Sequence, residues 1–346
     1  MSRPVLFILR ALGLGDLLAA VPALRALARA FPEHERVLAL PGPLAPLALH
    51  TGTVGRTVAA LPLAPIAWHE PPPDVTVNLH GRGPQSHAIL RALRPRITFA
   101  FACASAPESA DGPPFREDEH EVARWCRMLE ESGVPADPTE IEITAPSGPA
   151  PAAACGATLL HPGAASAARR WPADRWVAVA SALRAAGQRV AITGGLDEIG
   201  LAQQIARGAG LDGSAVLAGR TGVMDLARAV AGASRVVCGD TGVAHLATSL
   251  RRPSVVLFGP TPPALWGPPP DRPWHRVLWA GETGDPHADE PHPGLLRIGV
   301  DDVLGALADL PEPPPAGRGV PFREARASAH AHGPPWGVHA QSGVAR

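Results

Sequence analysis

The chain of 346 residues contains no lysine, so all 31 of its basic residues are arginine. Net charge is also nearly absent, with a formal value of -1 at pH 7. Proteins that bind nucleic acid usually present a strongly positive surface, which this composition does not supply. Nucleic acid is therefore not an expected partner. Because the arginine bias accompanies 41 prolines and 36 glycines, it reflects overall composition more than the choice of a guanidinium at each position.

Cysteine and long apolar runs are scarce as well. The four cysteines stand far apart without a C-x-x-C pair, which argues against a zinc site or a disulfide framework and fits a reducing cytoplasm. The apolar N-terminal stretch is interrupted at Arg10, Gly13 and Asp16, so it predicts neither a signal peptide nor a spanning helix. We expect a cytoplasmic protein with at most peripheral contact at the inner face of a membrane.

Several familiar catalytic motifs are missing. The sequence has no G-x-x-x-x-G-K-[ST] loop, no H-E-x-x-H, no G-x-S-x-G and no D-x-D pair for a metal-held diphosphate. The segment "GLGDLL" (13–18) carries only two glycines of a dinucleotide-binding fingerprint, and an acid follows them. A nicotinamide-dependent enzyme is therefore disfavoured, and no metal site is expected.

Short apolar strands alternate with helical patterns along most of the chain. In the first half, strands are expected at 4–9, 36–41 and 74–80, and helices at 16–31 and 117–132. In the second half, strands are expected at 157–163, 188–195, 214–220, 234–239 and 253–259, and helices at 172–187, 198–210, 223–233, 242–250 and 301–310. This alternation predicts an α/β protein with two Rossmann-like halves in tandem.

The composition also predicts the domain boundaries. A segment rich in proline, alanine and glycine (145–156) separates the halves as a linker or an ordered surface loop. We place an N-terminal domain at 1–150, a C-terminal domain at 151–310 and a disordered tail at 311–346. Ligands of such sheets bind beyond the carboxyl ends of the strands, so the site is expected in the cleft between the halves.

Asp16 is the strongest candidate for a functional residue in the first half, because it follows the first strand and a turn that contains glycine. An aspartate at the start of a helix is commonly an N-cap, and position alone favours that role. A catalytic base would also need an acceptor hydroxyl within hydrogen-bond reach.

Two segments of the second half have the residues expected of an anion-binding site. In "HPGAASAARRWP" (161–172), Ser166 offers a hydroxyl and Arg169 and Arg170 offer charge, although two solvated arginines in a surface loop would look the same. In "GDTGVAHL" (239–246), an acid, a hydroxyl and a glycine precede a helix whose free amides could hold a phosphate. The candidates in this second segment are Asp240, Thr241, Gly242 and His245, for which capping and packing are the plainer alternative.

Polar residues also end a strand of the first half, in "NLHGRGPQSH" (78–87). His80, Arg82 and Ser86 could meet a sugar acceptor or could be ordinary loop residues, and the sequence does not separate the two.

Taken together, these segments resemble glycosyltransferase family 9, the bacterial heptosyltransferases. The resemblance runs through "LFILRALGLGDLLAAVPALRAL", "HPGAASAARRWPADRW", "ITGGLDE" and "CGDTGVAHLATSLRRPSVVLFGPTPPALWGP". It implies a GT-B fold, an inverting transfer from a nucleotide-diphosphate sugar without a metal or other cofactor, ADP-heptose as donor and a saccharide or glycolipid acceptor.

The resemblance also assigns roles. It places the general base on Asp16, beside Gly15, and the donor-side acid on Glu198, with Asp197 as a neighbouring alternative. It places a lysine that holds the donor phosphates on Arg169, a departure that the lysine-free composition explains, since a guanidinium also binds phosphate. The alternatives to a transferase are a nucleotide-sugar epimerase, a non-catalytic nucleotide-sugar binding protein and, more distantly, a dehydrogenase.

Overall fold

The computed structural model describes residues 3–312, so all of the predicted tail (311–346) except its first two residues lies outside the described range. The first half builds one parallel sheet in the order β3-β2-β1-β4-β5. Its strands are β1 (Val5–Leu9), β2 (Glu35–Leu40), β3 (Arg56–Ala59), β4 (Val75–Asn78) and β5 (Ile97–Phe99). In the central strand β1, Phe7 pairs with Val37 on one side and Thr76 on the other. Since helices cover both faces of such a sheet, the central strand is apolar throughout.

Within the described part of the chain, five α-helices accompany this sheet. They are α1 (Leu14–Ala19), α2 (Val21–Ala30), α3 (Ala45–His50), α4 (Gln85–Ala92) and α5 (Glu121–Glu131). The single helix expected at 16–31 is therefore two helices. Pro22 lies in the first turn of α2, where its missing amide proton does no harm, whereas inside one long helix it would remove a hydrogen bond.

The second half builds a second parallel sheet in the order β10-β9-β8-β6-β7. Its strands are β6 (Thr158–His161), β7 (Val190–Ile192), β8 (Arg235–Gly239), β9 (Ser254–Phe258) and β10 (His275–Trp279). Its α-helices are α6 (Ala173–Ala185), α7 (Ile199–Gly208), α8 (Val223–Gly232), α9 (Gly242–Ser249), α10 (Pro263–Trp266), α11 (Pro293–Arg297) and α12 (Val300–Ala308). Within residues 3–312, no helix is long and apolar enough to cross a membrane.

One predicted strand is wrong. The apolar segment 214–220 makes only a single bridge, between Val216 and Ile192 of β7, and it turns away at Gly219, whose φ is +71°. Its two alanines, its valine and its leucine are buried beside the sheet without extending it. Apolar character alone therefore did not distinguish a strand from a buried loop.

The two sheets are packed into one molecule. We call the sheet of β1–β5 with helices α1–α5 the first lobe, and the sheet of β6–β10 with α6–α12 the second lobe. One apolar core runs through both, from Leu6 and Leu24 in the first lobe to Leu246 and Phe258 in the second. The connecting segment 145–156 is ordered, since the Ser147 carbonyl accepts a hydrogen bond from Arg228 at 2.8 Å.

Candidate active site

A cleft of about 880 Å³ opens between the lobes where the strands end. Its walls come from the loops and helix starts that follow β1, β6, β7, β8 and β9. The lining includes these predicted site residues: Gly15, Asp16, Arg169, Arg170, Asp197, Glu198, Asp240, Thr241, Gly242 and His245. Residues more than 200 positions apart in the sequence therefore meet in one place.

Asp16 lies in the first turn of α1 on the first-lobe side of the cleft. It is the third residue of the helix rather than the N-cap, and its Oδ2 accepts the Gly13 amide proton at 3.1 Å. Its Oδ1 lies 3.2 Å from Nη2 of Arg10. A quarter of the side chain remains exposed, so the carboxylate both stabilises the helix start and faces the cleft.

The electrostatic surroundings make this carboxylate more basic than usual. Burial raises the pKa of Asp16 and the nearby charge of Glu121 adds to that effect, while Arg10 and hydrogen bonds from the backbone oppose it without cancelling it. A raised pKa makes the carboxylate a stronger proton acceptor, which favours a role as general base.

The two lobes approach each other most closely where α1 and α9 begin. A Cβ on Gly15 would fall 2.9 Å from Cδ2 of His245, and a Cβ on Gly242 would fall 2.9 Å from the backbone nitrogen of Gly15. Only glycine at both positions allows this separation. The rings of His245 and Trp266 meet edge to face at 5.7 Å, and burial lowers the pKa of His245 to about 4, so the imidazole is neutral at pH 7.

On the second-lobe side, Asp240 and Arg169 lie together. Nη1 of Arg169 donates to the Asp240 carbonyl at 3.2 Å. Asp240 is 7% exposed, and burial raises its pKa to about 6, although Arg169 and a hydrogen bond from Thr261 act in the opposite direction. Thr241 is the N-cap residue of α9, but its side chain makes no capping hydrogen bond.

Glu198 lies in the turn after β7 and forms part of the cleft wall beside the end of β6. Its Oε2 accepts the Gly195 amide proton at 2.7 Å, and its carboxylate lies so close to Gly163 that a Cβ there would fall 1.7 Å from Oε1. His161, at the end of β6, lines the same wall, and burial lowers its pKa against the opposing influence of Glu198.

Four other predicted residues do not line the cleft. Ser166 donates its hydroxyl proton to the Pro286 carbonyl, and Nδ1 of His80 accepts the Ala11 amide proton at 3.2 Å, directly behind Arg10. Arg82 is 66% exposed in an ion pair with Glu117. Ser86 is only 2% exposed and accepts a hydrogen bond from Asn78, so in this conformation it cannot touch an acceptor.

Sequence reasoning did not identify Arg10, His161, Thr261 or Glu121 as site residues. For the first two a signal existed, since each is a polar residue at the end of a buried strand. Thr261 follows β9 in the same way. Glu121 gave no such signal, because it is 111 positions from Arg10 along the chain and meets it only in the fold.

One wall of the site can bind an anion, and the opposite wall carries a carboxylate. Arginine and the start of α9 offer positive charge and donors in the second lobe, and Asp16 offers an acceptor in the first. Among residues 3–312 there is no cluster of three histidine, cysteine, aspartate or glutamate side chains that could hold a metal ion.

Comparison with known proteins agrees with this arrangement. The sequence model of glycosyltransferase family 9 (heptosyltransferase) matches residues 109–288, which is just over half of the chain. No curated protein sequence matches the chain.

Three similar solved structures share the fold. ADP-heptose LPS heptosyltransferase II of E. coli superposes with a TM-score of 0.70 at 18% identity, over 88% of this chain and 97% of its own. A family 9 glycosyltransferase of Veillonella parvula gives 0.70 at 18% identity, over 89% and 97%. E. coli heptosyltransferase WaaC with ADP gives 0.64 at 19% identity, over 88% and 99%. The fold is thus the GT-B arrangement that the sequence predicted.

Proposed function

The chain belongs to glycosyltransferase family 9, and from that premise we propose that it moves a heptose or similar sugar from a nucleotide diphosphate to a saccharide or glycolipid acceptor, with inversion. The observation that carries this proposal is the cleft itself. It places the Asp16 carboxylate on one wall and Arg169 with the start of α9 on the other. The gap between them is where a sugar diphosphate would bridge the lobes.

In the proposed reaction Asp16 takes the proton of the acceptor hydroxyl while that oxygen attacks the anomeric carbon. The bond between this carbon and the diphosphate oxygen breaks on the opposite face of the sugar, so its configuration inverts. Burial supports this role because it raises the pKa of Asp16 and so strengthens it as a proton acceptor.

The leaving diphosphate gains negative charge, which we assign to Arg169 and the amides at the start of α9. Arg169 lines the cleft, and its Nη1 is held on the Asp240 carbonyl at 3.2 Å, which fixes the guanidinium on the wall where the phosphates would lie. Preorganised donors of this kind stabilise developing charge without a metal ion. Arg170 and Glu198 line the same wall and would border the donor.

We assign the acceptor to the N-terminal domain (1–150) and the donor to the C-terminal domain (151–310). Gly15 lines the acceptor side of the cleft. His80 does not line the cleft, but it accepts the Ala11 amide proton and so holds the loop after β1 in place. Ser86 is not part of this proposal because it is buried. For the protein as a whole we propose a cytoplasmic location, with contact at the inner face of a membrane when the acceptor is a glycolipid.

The related WaaC structure contains ADP, so ADP-heptose is the first donor to test. Thermal unfolding should be measured with ADP-heptose, UDP-glucose and GDP-mannose, since a ligand that binds the native state raises Tm. We expect one nucleotide class to raise Tm and, with an acceptor, to give a product of inverted configuration by NMR. Retention of configuration, no shift with any donor, or a changed sugar still attached to its nucleotide would contradict the proposal.

A further inference from the structure

Arg10 is a buried cation that directly follows strand β1 and is almost completely shielded from bulk water. Its side chain is 1% exposed, and its guanidinium stacks on Trp125 at 5.0 Å. Nε donates to the Asp16 carbonyl at 3.0 Å, and Nη1 donates to the Leu79 carbonyl. Burying a guanidinium is costly unless its donors are satisfied, so this position is specified by its partners.

A single nitrogen of Arg10 serves two carboxylates. Nη2 lies 2.8 Å from Oε1 of Glu121 and 3.2 Å from Oδ1 of Asp16. Glu121 is itself held by Nε1 of Trp125 at 2.7 Å and by Arg124. The shorter contact belongs to the carboxylate that is more deeply buried and better hydrogen-bonded, and the longer contact belongs to the one that faces the cleft.

We propose that Arg10 and Glu121 are positioning residues for transfer: Arg10 orients the Asp16 carboxylate, and Glu121 partly neutralises Arg10 so that Asp16 remains basic. This inference rests on the proposed role of Asp16 as the base. Neither positioning residue touches the sugar or the reacting atoms in the proposed reaction.

The different roles of Arg10 and Glu121 follow from their charges. An arginine paired with one aspartate would hold that carboxylate ionised and weakly basic. A second carboxylate on the same guanidinium reduces that hold and repels the first. The pKa directions agree, since burial raises the pKa of Glu121 but Arg10, Trp125 and Arg124 together lower it, whereas the pKa of Asp16 stays raised.

The other titratable groups around this network are three histidines and the arginines Arg25 and Arg124. His245 on α9 has a pKa of about 4, and burial, then Arg10, lower the pKa of His80 after β4. His120, beside Glu121 at the start of α5, lies 2.9 Å through Nε2 from the Gly267 carbonyl. On α2, Arg25 is bound to the carbonyls of residues 140 and 142. The charged side chains that shift the pKa of Asp16 are Arg10, which lowers it, and Glu121, which raises it.

The test is the pH dependence of kcat/KM in the full chain, because its acid limb reports the pKa of the free base. Glu121→Gln should move that limb to lower pH by on the order of one unit, since Asp16 then faces Arg10 alone. Arg10→Met should move it to higher pH. Glu130→Gln removes the same charge from an exposed site on α5 and should leave the limb in place.

A merely structural role would lower activity without moving the acid limb, and an unmoved limb in Glu121→Gln would overturn the inference. If Glu121→Gln does not fold, Glu121→Asp serves instead, because it shortens the reach to Arg10, and a smaller shift in the same direction is expected. Asp16→Asn separates the two hypotheses. Full activity of that variant removes the proposed base, whereas its inactivity with an unmoved limb in Glu121→Gln removes this inference alone.

Discussion

Replacing Asp240 with asparagine should stabilise the protein, and the gain should depend on pH. Asp240 is 7% exposed, and burial raises the pKa of its carboxyl from 3.8 to about 6 in the folded state. Asparagine has nearly the same shape and keeps an oxygen that can accept the hydrogen bond from Thr261. The substitution therefore removes the buried charge with little change in packing.

The magnitude follows from the shift of about two pKa units. Each unit corresponds to about 1.4 kcal/mol, so keeping Asp240 ionised in the folded protein costs about 3 kcal/mol. Below pH 3.8 both the folded and unfolded forms are protonated, and the cost is absent. As pH rises towards 6 the folded form binds more protons than the unfolded form, so stability falls. Above pH 6 the whole cost is present.

Urea unfolding of wild type and Asp240→Asn, followed by tryptophan fluorescence between pH 4 and 8, measures this difference. The free energy of unfolding of the variant, relative to wild type, should increase by about 2.5 kcal/mol across that window, because a small part of the cost is already present at pH 4. Asp289→Asn, at an exposed site, should show no comparable increase. A difference that stays constant with pH would refute the reasoning, since it would mean that Asp240 is not held in a costly ionised state.

Two further predictions concern the cleft walls. Gly242→Ala should destabilise the protein by about 1–3 kcal/mol in urea unfolding, because its Cβ would fall 2.7 Å from that of Leu14. Gly305→Ala, in α12 with nothing within 4 Å of its Cβ, should stabilise by roughly 1 kcal/mol, and equal effects would contradict the close approach. Arg169→Met should weaken donor binding about 10- to 100-fold by calorimetry, and Arg169→Lys should restore most of it. Unchanged affinity in Arg169→Met would remove this residue from the donor site.

The sequence predicted every central strand of the two sheets but missed three of the four edge strands. Strands β1, β2, β4 and β6–β9 were expected from their apolar runs or apolar alternation, and they include the edge strand β7. Strands β3, β5 and β10 lie at sheet edges and are largely half-buried, so their short apolar runs gave too weak a pattern. Edge strands pack against fewer neighbours and need fewer apolar residues.

The candidate site was likewise only partly predictable from the sequence. Residues directly after strands could be selected from the sequence, since parallel strands bring their carboxyl ends to one edge, and Asp16 and Asp240 do line one cleft. Whether a loop residue turns inward could not be predicted, as Ser86 and Arg82 illustrate. Contacts such as that between Arg10 and Glu121 depend on where the packing of α5 against α2 places Glu121, which no local pattern encodes.

The central claim is that Asp16 removes the acceptor proton while the second lobe holds the donor. Its most direct test is the rate of sugar transfer by Asp16→Asn, measured beside donor affinity in the same preparation. Asparagine keeps an acceptor for the Gly13 amide, so the fold and donor affinity should be unchanged while kcat falls about 100- to 10,000-fold. Transfer at the wild-type rate with normal donor binding would contradict the account.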